Sequence, residues 1–203
     1  MGRIFYLMGK SASGKDSLYK LLVNDEELNL KTVILYTTRP IREGEEEGRE
    51  YHFCDYDFYK AAKEADKVIE SRTYNTIHGP WTYFTLDDGQ IDILNNNYIM
   101  IGTLESYEKT REYFGEDVMI PVYVTVETGE RLTRALNREK LQEAPRYAEM
   151  CRRFLADEED FKQENLERCG INNSFENDIL KDCYRRIKQT IIKEMKIADT
   201  VKK

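Results

Sequence analysis

Ile4-Phe5-Tyr6-Leu7-Met8-Gly9-Lys10-Ser11-Ala12-Ser13-Gly14-Lys15-Asp16-Ser17 decides how the rest of this chain is read. Five apolar residues in unbroken series describe a strand buried on both faces, the kind found in parallel sheets. Gly-x-x-x-x-Gly-Lys follows at once, from Gly9 to Lys15, and the spacing of Leu18, Leu21 and Leu22 predicts a helix from Asp16 to Val23. A loop in that setting turns backbone N–H groups inward, adds the positive end of a helix dipole and lets Lys15 reach β- and γ-phosphate oxygens. Gly9, Ser11, Ala12, Ser13, Gly14, Lys15, Asp16 and Ser17 are therefore candidate phosphate-binding positions. One position departs from the usual pattern. Where a Ser or Thr ordinarily ligates Mg²⁺ the chain has Asp16, with Ser17 next. A carboxylate repels triphosphate unless a cation lies between them, and then it becomes a good hard ligand. Its competing role is a cap at the helix N-terminus.

Working outward, the chain has 203 residues, enough for about one domain. It is 40% hydrophobic and 34% charged, which excludes a collagenous, low-complexity or wholly disordered chain. Thirty-one basic against 38 acidic residues leave a net charge of −7, a field that disfavours nucleic acid and anionic membrane as partners. Small anionic ligands remain open to it through local arginine clusters. No apolar run approaches a membrane span, and no secretory signal is read at the start, so a cytoplasmic location is expected. Cys54, Cys151, Cys169 and Cys183 are scattered and only two histidines exist, so neither a zinc site nor a disulfide framework is expected.

Further strands are predicted over Thr32–Tyr36, Tyr98–Ile101, Val118–Val126 (with a bulge or late start at Pro121) and Cys169–Ile171. Helices are predicted over Leu104–Phe114, closed by Gly115, and from about Phe175 to Ile197. Alternation of this kind implies an α/β fold: a parallel sheet with helices on both faces in three layers. Residues 37–90 and 127–167 break the rhythm, being rich in Arg and Glu, and read as insertions at the sheet's carboxyl edge, where open α/β sheets bind ligands. The expected organisation is thus one domain, with core segments 1–36, 91–126 and 168–203.

The second motif is Thr37-Thr38-Arg39-Pro40-Ile41-Arg42-Glu43-Gly44-Glu45, continuing to Gly48 and Tyr51-His52-Phe53. Two guanidinium forks and a phenol can close on one phosphate, although a charged surface loop has the same composition. Together with the phosphate loop, this segment resembles the guanylate kinase family, P-loop nucleoside monophosphate kinases, and order and spacing agree along nearly the whole chain. The resemblance implies ATP and Mg²⁺ as donor and cofactor and a nucleoside monophosphate, GMP favoured, as acceptor. It places Arg39, Arg42 and Tyr51 on the acceptor phosphate, with Glu45 in support, and Glu70 on the guanine N1–H and N2–H₂ edge. Segment 37–90 becomes the monophosphate-binding insertion and 127–167 the lid, whose Arg138 and Arg153 would close on the triphosphate. Asn172 would touch the adenine ring of ATP. Lys15, Arg39, Arg138 and Arg153 are thereby implied as the catalytic charges, and Asp16 as the protein's metal ligand.

The departures from that family are specific. Leu35 stands where the family has Ser, His78-Gly79-Pro80 replaces Tyr-Gly-Ser/Thr, and an acidic pair after the fourth strand gives way to Ile101-Gly102-Thr103. His78 and Thr103 are kept as candidate acceptor contacts. The phosphate grips are retained while much of the base readout is altered. Two alternatives follow: another small-molecule kinase of the superfamily, with a different nucleotide or a ribose bisphosphate as acceptor, and a non-catalytic binding module. The retained Gly9, Gly14 and Lys15 speak against the second. A GTPase or ATPase switch would want a Walker-B-type Asp and a water-positioning residue, and neither is found.

Overall fold

The computed structural model describes residues 1–76 and 79–200. Five strands form a wholly parallel sheet in the order β2-β7-β1-β8-β9: β1 (Ile4–Met8), β2 (Lys31–Thr32), β7 (Tyr98–Ile101), β8 (Met119–Thr125) and β9 (Phe175–Glu176). β1 lies at its centre, so each of its side chains must find an apolar partner on one face or the other. Ile4, Tyr6 and Met8 pack toward α3 (Leu104–Phe114), among Leu104 and Tyr107. Phe5 and Leu7 pack toward α1 (Lys15–Val23) and α7 (Leu180–Thr200), among Leu18, Leu22, Cys183, Ile187 and Ile191. All five residues of β1 are at most 1% exposed, which is why they read as one continuous apolar run. β9 covers only Val124 and Thr125 of β8, so Pro121 sits where the strand's outer edge is open and a missing N–H costs no ladder bond.

A second, four-stranded sheet has the order β4-β3-β6-β5: β3 (Tyr36–Thr37), β4 (His52–Phe53), β5 (Val68–Thr76) and β6 (Gly79–Leu86). It carries α2 (Tyr56–Glu64) over a small core of Tyr59, Phe84 and Leu86. α4 (Thr128–Lys140), α5 (Tyr147–Asp160) and α6 (Gln163–Arg168) occupy the charged stretch after β8. Among the described residues no helix is long and apolar enough to cross a membrane.

Two expected strands are corrected. The apolar run 32–36 is not one strand: its ends belong to β2 and β3, in different sheets. Between them the Gln90 side chain takes over the ladder, accepting from Ile34 N at 2.8 Å and donating to Ile34 O at 3.2 Å, and the chain turns from one sheet to the other. Residues 169–171 are not a strand either. Cys169 caps α6, Gly170 takes a left-handed φ of 68°, and the edge strand forms later, at Phe175–Glu176, with the last helix beginning at Leu180. The strand β1, the helix α3 with Gly115 at its end, and β7 lie where the sequence predicts them.

Candidate functional site

The phosphate loop leaves β1 at Gly9 and enters α1 at Lys15. A side chain on Gly9 would meet Val124 O at 2.5 Å, so the loop's approach to β8 requires glycine there. Gly14 caps α1 in the left-handed region, at φ 83°, against Asn177. Asn177 follows β9, is 2% exposed, and donates from Nδ2 to Ser13 O at 2.8 Å. It is Asn177, not Asn172, that the structure brings against this loop; Asn172 is exposed, three residues before the strand begins. Ser13 is buried and Ser17 exposed. Lys15 Nζ lies 3.8 Å from Asp16 Oδ2. Asp16 is largely exposed on the first turn of α1 and makes no cap hydrogen bond, so its carboxylate is available at the cleft.

The loop is also braced from outside, by residues that the sequence reading did not single out. Ser11 N donates to Asp157 Oδ2 at 2.7 Å, and Lys10 Nζ pairs with Glu158 Oε2 at 2.7 Å. Arg131 of α4 is 1% exposed; it donates to Ser11 O at 3.2 Å, pairs with Glu158, and stacks 3.7 Å from the Phe154 ring. A charge this deep needs compensation, and two carboxylates, a carbonyl and a ring face supply it, although Arg131 Nε itself finds no hydrogen bond among the described residues. The same charges, Lys10 foremost, hold the Glu158 carboxyl below the ordinary carboxylate range despite partial burial.

Between the first turns of α1 and the second sheet lies a cleft of about 1610 Å³, and none of residues 9–15 is on its wall. α1 supplies Asp16, Tyr19 and Lys20; the second sheet and its loop supply Arg42, Arg49, Glu50, Tyr51, Arg72, Tyr74, Trp81 and Tyr83; α5 and its approach supply Arg146, Glu149 and Arg152. Six basic groups face three carboxylates there, a local excess of positive charge on a chain whose net charge is −7. That inversion suits an anionic ligand.

Of the expected acceptor residues, Arg42 and Tyr51 line the cleft. The Arg42 side chain makes no hydrogen bond to any described residue, while its backbone N donates to Glu45 Oε2 at 2.9 Å. Arg39 is not on the cleft wall. It is 3% exposed, donates to Glu45 Oε1 at 2.8 Å, Tyr83 OH at 3.1 Å and Pro40 O at 2.8 Å, and lies over the Tyr51 and Phe53 rings. Its guanidinium holds the Glu45 carboxyl below the usual range. Glu70 is buried and absent from the wall; Thr103 caps α3, accepting from Ser106 N at 3.3 Å. His78 lies outside the described residues.

Of the expected lid arginines, Arg138 is exposed and Arg153 is held 3.7 Å from Glu149; neither lines the cleft. Arg146 and Arg152 do. Arg152 makes a forked pair with Glu149, 2.7 Å on both arms, and Arg146 is fixed through its backbone N on Glu139 at 2.6 Å. No cluster of three His, Cys, Asp or Glu that could hold a metal exists among the described residues. A divalent cation here would therefore be shared between Asp16 and ligand phosphates, the usual manner of Mg²⁺.

A family model described as guanylate kinase matches residues 1–81. The guanylate kinase of Cupriavidus pinatubonensis is 38% identical over 79 residues, 38% of this chain and 34% of that protein. That of Campylobacter jejuni is 27% identical over 139 residues, 66% of this chain and 64% of that protein. These two matches thus span about a third and just under two thirds of the relatives' lengths. That of Mycoplasma mobile is 28% identical over 204 aligned positions, 96% of this chain and 94% of that protein. The crystal structure of guanylate kinase from Anaplasma phagocytophilum superposes with a TM-score of 0.63 at 15% identity, covering 96% of this chain and 86% of that one. At that identity the superposition speaks for the fold.

Proposed function

We propose that this chain, a divergent member of the guanylate kinase family, transfers the γ-phosphoryl group of ATP to a nucleoside monophosphate, GMP or dGMP before others. One observation carries the reading: the first turns of α1, directly after a glycine-rich loop braced on both sides, face the same cleft as an arginine- and tyrosine-lined second sheet. Donor and acceptor phosphates would meet there in line.

Phosphoryl transfer asks the protein for positioning, charge neutralisation and dryness. In this reading Lys15 and the loop amides hold the donor phosphates. Arg42 and Tyr51 hold the acceptor phosphate, and Arg39 holds them in turn, through Glu45 and by its place beneath the Tyr51 ring. Arg146, the cap of α5, and Arg152 on α5 line the same cleft. Mg²⁺, when bound, neutralises the β/γ oxygens, with Asp16 as the protein's contribution to its shell. No general base is required, because the acceptor oxygen is ionised at neutral pH. Segments 37–90 and 127–167 are taken as acceptor-binding insertion and lid.

The test is a coupled assay of ADP formation with ATP, Mg²⁺ and each of GMP, dGMP, AMP, CMP and UMP. Acceptor-dependent ADP formation, fastest with GMP or dGMP, is expected. ADP formation that ignores the acceptor, or none with any of them, would overturn the reading.

A further inference from the structure

β5 skips one residue of its pairing with β6 between Val68 and Glu70, so the Glu70 side chain turns inward. It is fully buried: Oε1 accepts from Thr85 Oγ1 at 3.0 Å, and Oε2 has no hydrogen bond but lies 3.3 Å from Arg72 Nε. Arg72, two residues on and on the same face of β5, does line the cleft, with 10% of its side chain exposed. Its NH1 donates to Thr103 Oγ1 at 3.3 Å. Glu70 on one side and Thr103 on the other thus fix the guanidinium plane, and NH2 makes no hydrogen bond to any described residue.

We propose that Arg72, and not Glu70, reads the acceptor base, by donating to its exocyclic oxygen, so that the site selects 6-oxopurine monophosphates and leaves the 2-amino group unread. The inference rests on the nucleoside monophosphate reading above. A guanidinium is a donor only. The base edge that matches it presents acceptors, as O6 and N7 of guanine or hypoxanthine do; adenine presents its N6 amino donors at that place. Reading N1–H and N2–H₂ needs an acceptor on the cleft wall, and the Glu70 carboxylate is fully buried behind it, beside Arg72. The neighbouring Tyr74 and Tyr83, edge to face at 5.9 Å, supply aromatic surface for the ring.

The experiment measures equilibrium binding of GMP, IMP and AMP to the full chain, and kcat/KM for each with ATP and Mg²⁺. IMP is expected within ~3-fold of GMP and AMP ~10-fold or more weaker, since the free NH2 arm would meet an acceptor in the first two and an amino donor in adenine. Arg72→Met should erase the preference over AMP while leaving the KM for ATP unchanged; Arg72→Lys, which keeps the charge but not the fork, should erase most of it. Glu70→Gln should leave the GMP-to-IMP ratio within ~3-fold. A purely structural Arg72 would lower all three nucleotides together. A wild-type preference for GMP over IMP beyond ~30-fold, or loss of GMP selectivity in Glu70→Gln alone, overturns the proposal. The expected binding order without transfer would defeat the kinase reading and leave this inference standing; transfer with a different order would do the reverse.

Discussion

Around the glycine-rich loop, buried charge is spent on the protein itself: Arg131, Asp157 and Glu158 pair with one another, with Ser11 and with Lys10. Across the cleft, Arg42 projects without a hydrogen-bond partner, and Arg72 keeps one arm free. The loop side is mostly tied to the protein's own partners, though Ser13 Oγ, Asn177 Oδ1 and Arg131 Nε have no hydrogen bond among the described residues, whereas the cleft wall presents free guanidinium arms. Preorganised groups stabilise a transition state without reorganisation, and unsatisfied ones discriminate between ligands. In this chain the first property belongs to the loop and its braces, the second to the inner sheet wall.

The comparison is broken most severely at Arg131. Arg131→Met removes the hydrogen bond to Ser11 O and the stack on Phe154 and leaves Glu158 paired with Lys10 alone, and should cost roughly 1–3 kcal/mol. Urea unfolding at pH 7 checks this; an unchanged midpoint would mean that the brace contributes nothing. Lys15→Ala should lower the transfer rate by ~10²–10³ with an unaltered melting temperature, because its side chain belongs to none of the core clusters. Parental turnover in that variant would remove the donor site from Lys15.

Arg39→Lys tests the acceptor side. The planar fork serves Glu45, Tyr83 and Pro40 at once, so the KM for the acceptor should rise ~10-fold or more while the KM for ATP stays put. Because the Arg39 guanidinium depresses the Glu45 pKa, this tie is fully present above the ordinary carboxylate range and is lost as pH falls through the lowered value. Acceptor affinity in the parent should follow that course, and in Arg39→Lys its midpoint should lie at a higher pH. The smallest effect is expected at Asp16. Asp16→Asn should raise the Mg²⁺ requirement several-fold, a charged ligand being exchanged for a neutral one, with little change in melting. A superimposable Mg²⁺ titration would assign Asp16 to the helix dipole alone.

Much of this was legible from the chain. The five apolar residues before Gly9 can be buried only at the centre of a sheet, and Leu104 to Gly115 carries its own start and stop. Arg42, Glu45 and Tyr51 stand in the order the acceptor motif requires. Other residues were misplaced for a physical reason. Arg39 reads as a phosphate ligand by its neighbours in sequence, but Glu45, Tyr83 and the ring faces of Tyr51 and Phe53 take up its guanidinium off the cleft wall. Arg152 and Arg153 are neighbours on α5, and the helix turn between them puts only Arg152 on the cleft wall; Arg138 lies on α4 and Arg146 just before α5. The run 32–36 looks like one strand because its residues suit any strand; Gln90, 56 positions away from Ile34, divides it.

By itself, then, the sequence determined the elements whose signals are local: a strand, a loop that needs glycine at two points, the helix it opens, and a charged insertion on either side of the later strands. Local signals suffice there because hydrophobic period, left-handed φ and helix capping act over a few residues. Tertiary structure alone decided which charges became internal braces and which were left facing the cleft. Asn177 lies 164 positions from Ser13, Asp157 146 from Ser11, and Thr103 31 from Arg72. Whether a guanidinium ends as a brace or as a donor for a ligand depends on which partners the packed core delivers to it, and no spacing along the chain encodes that.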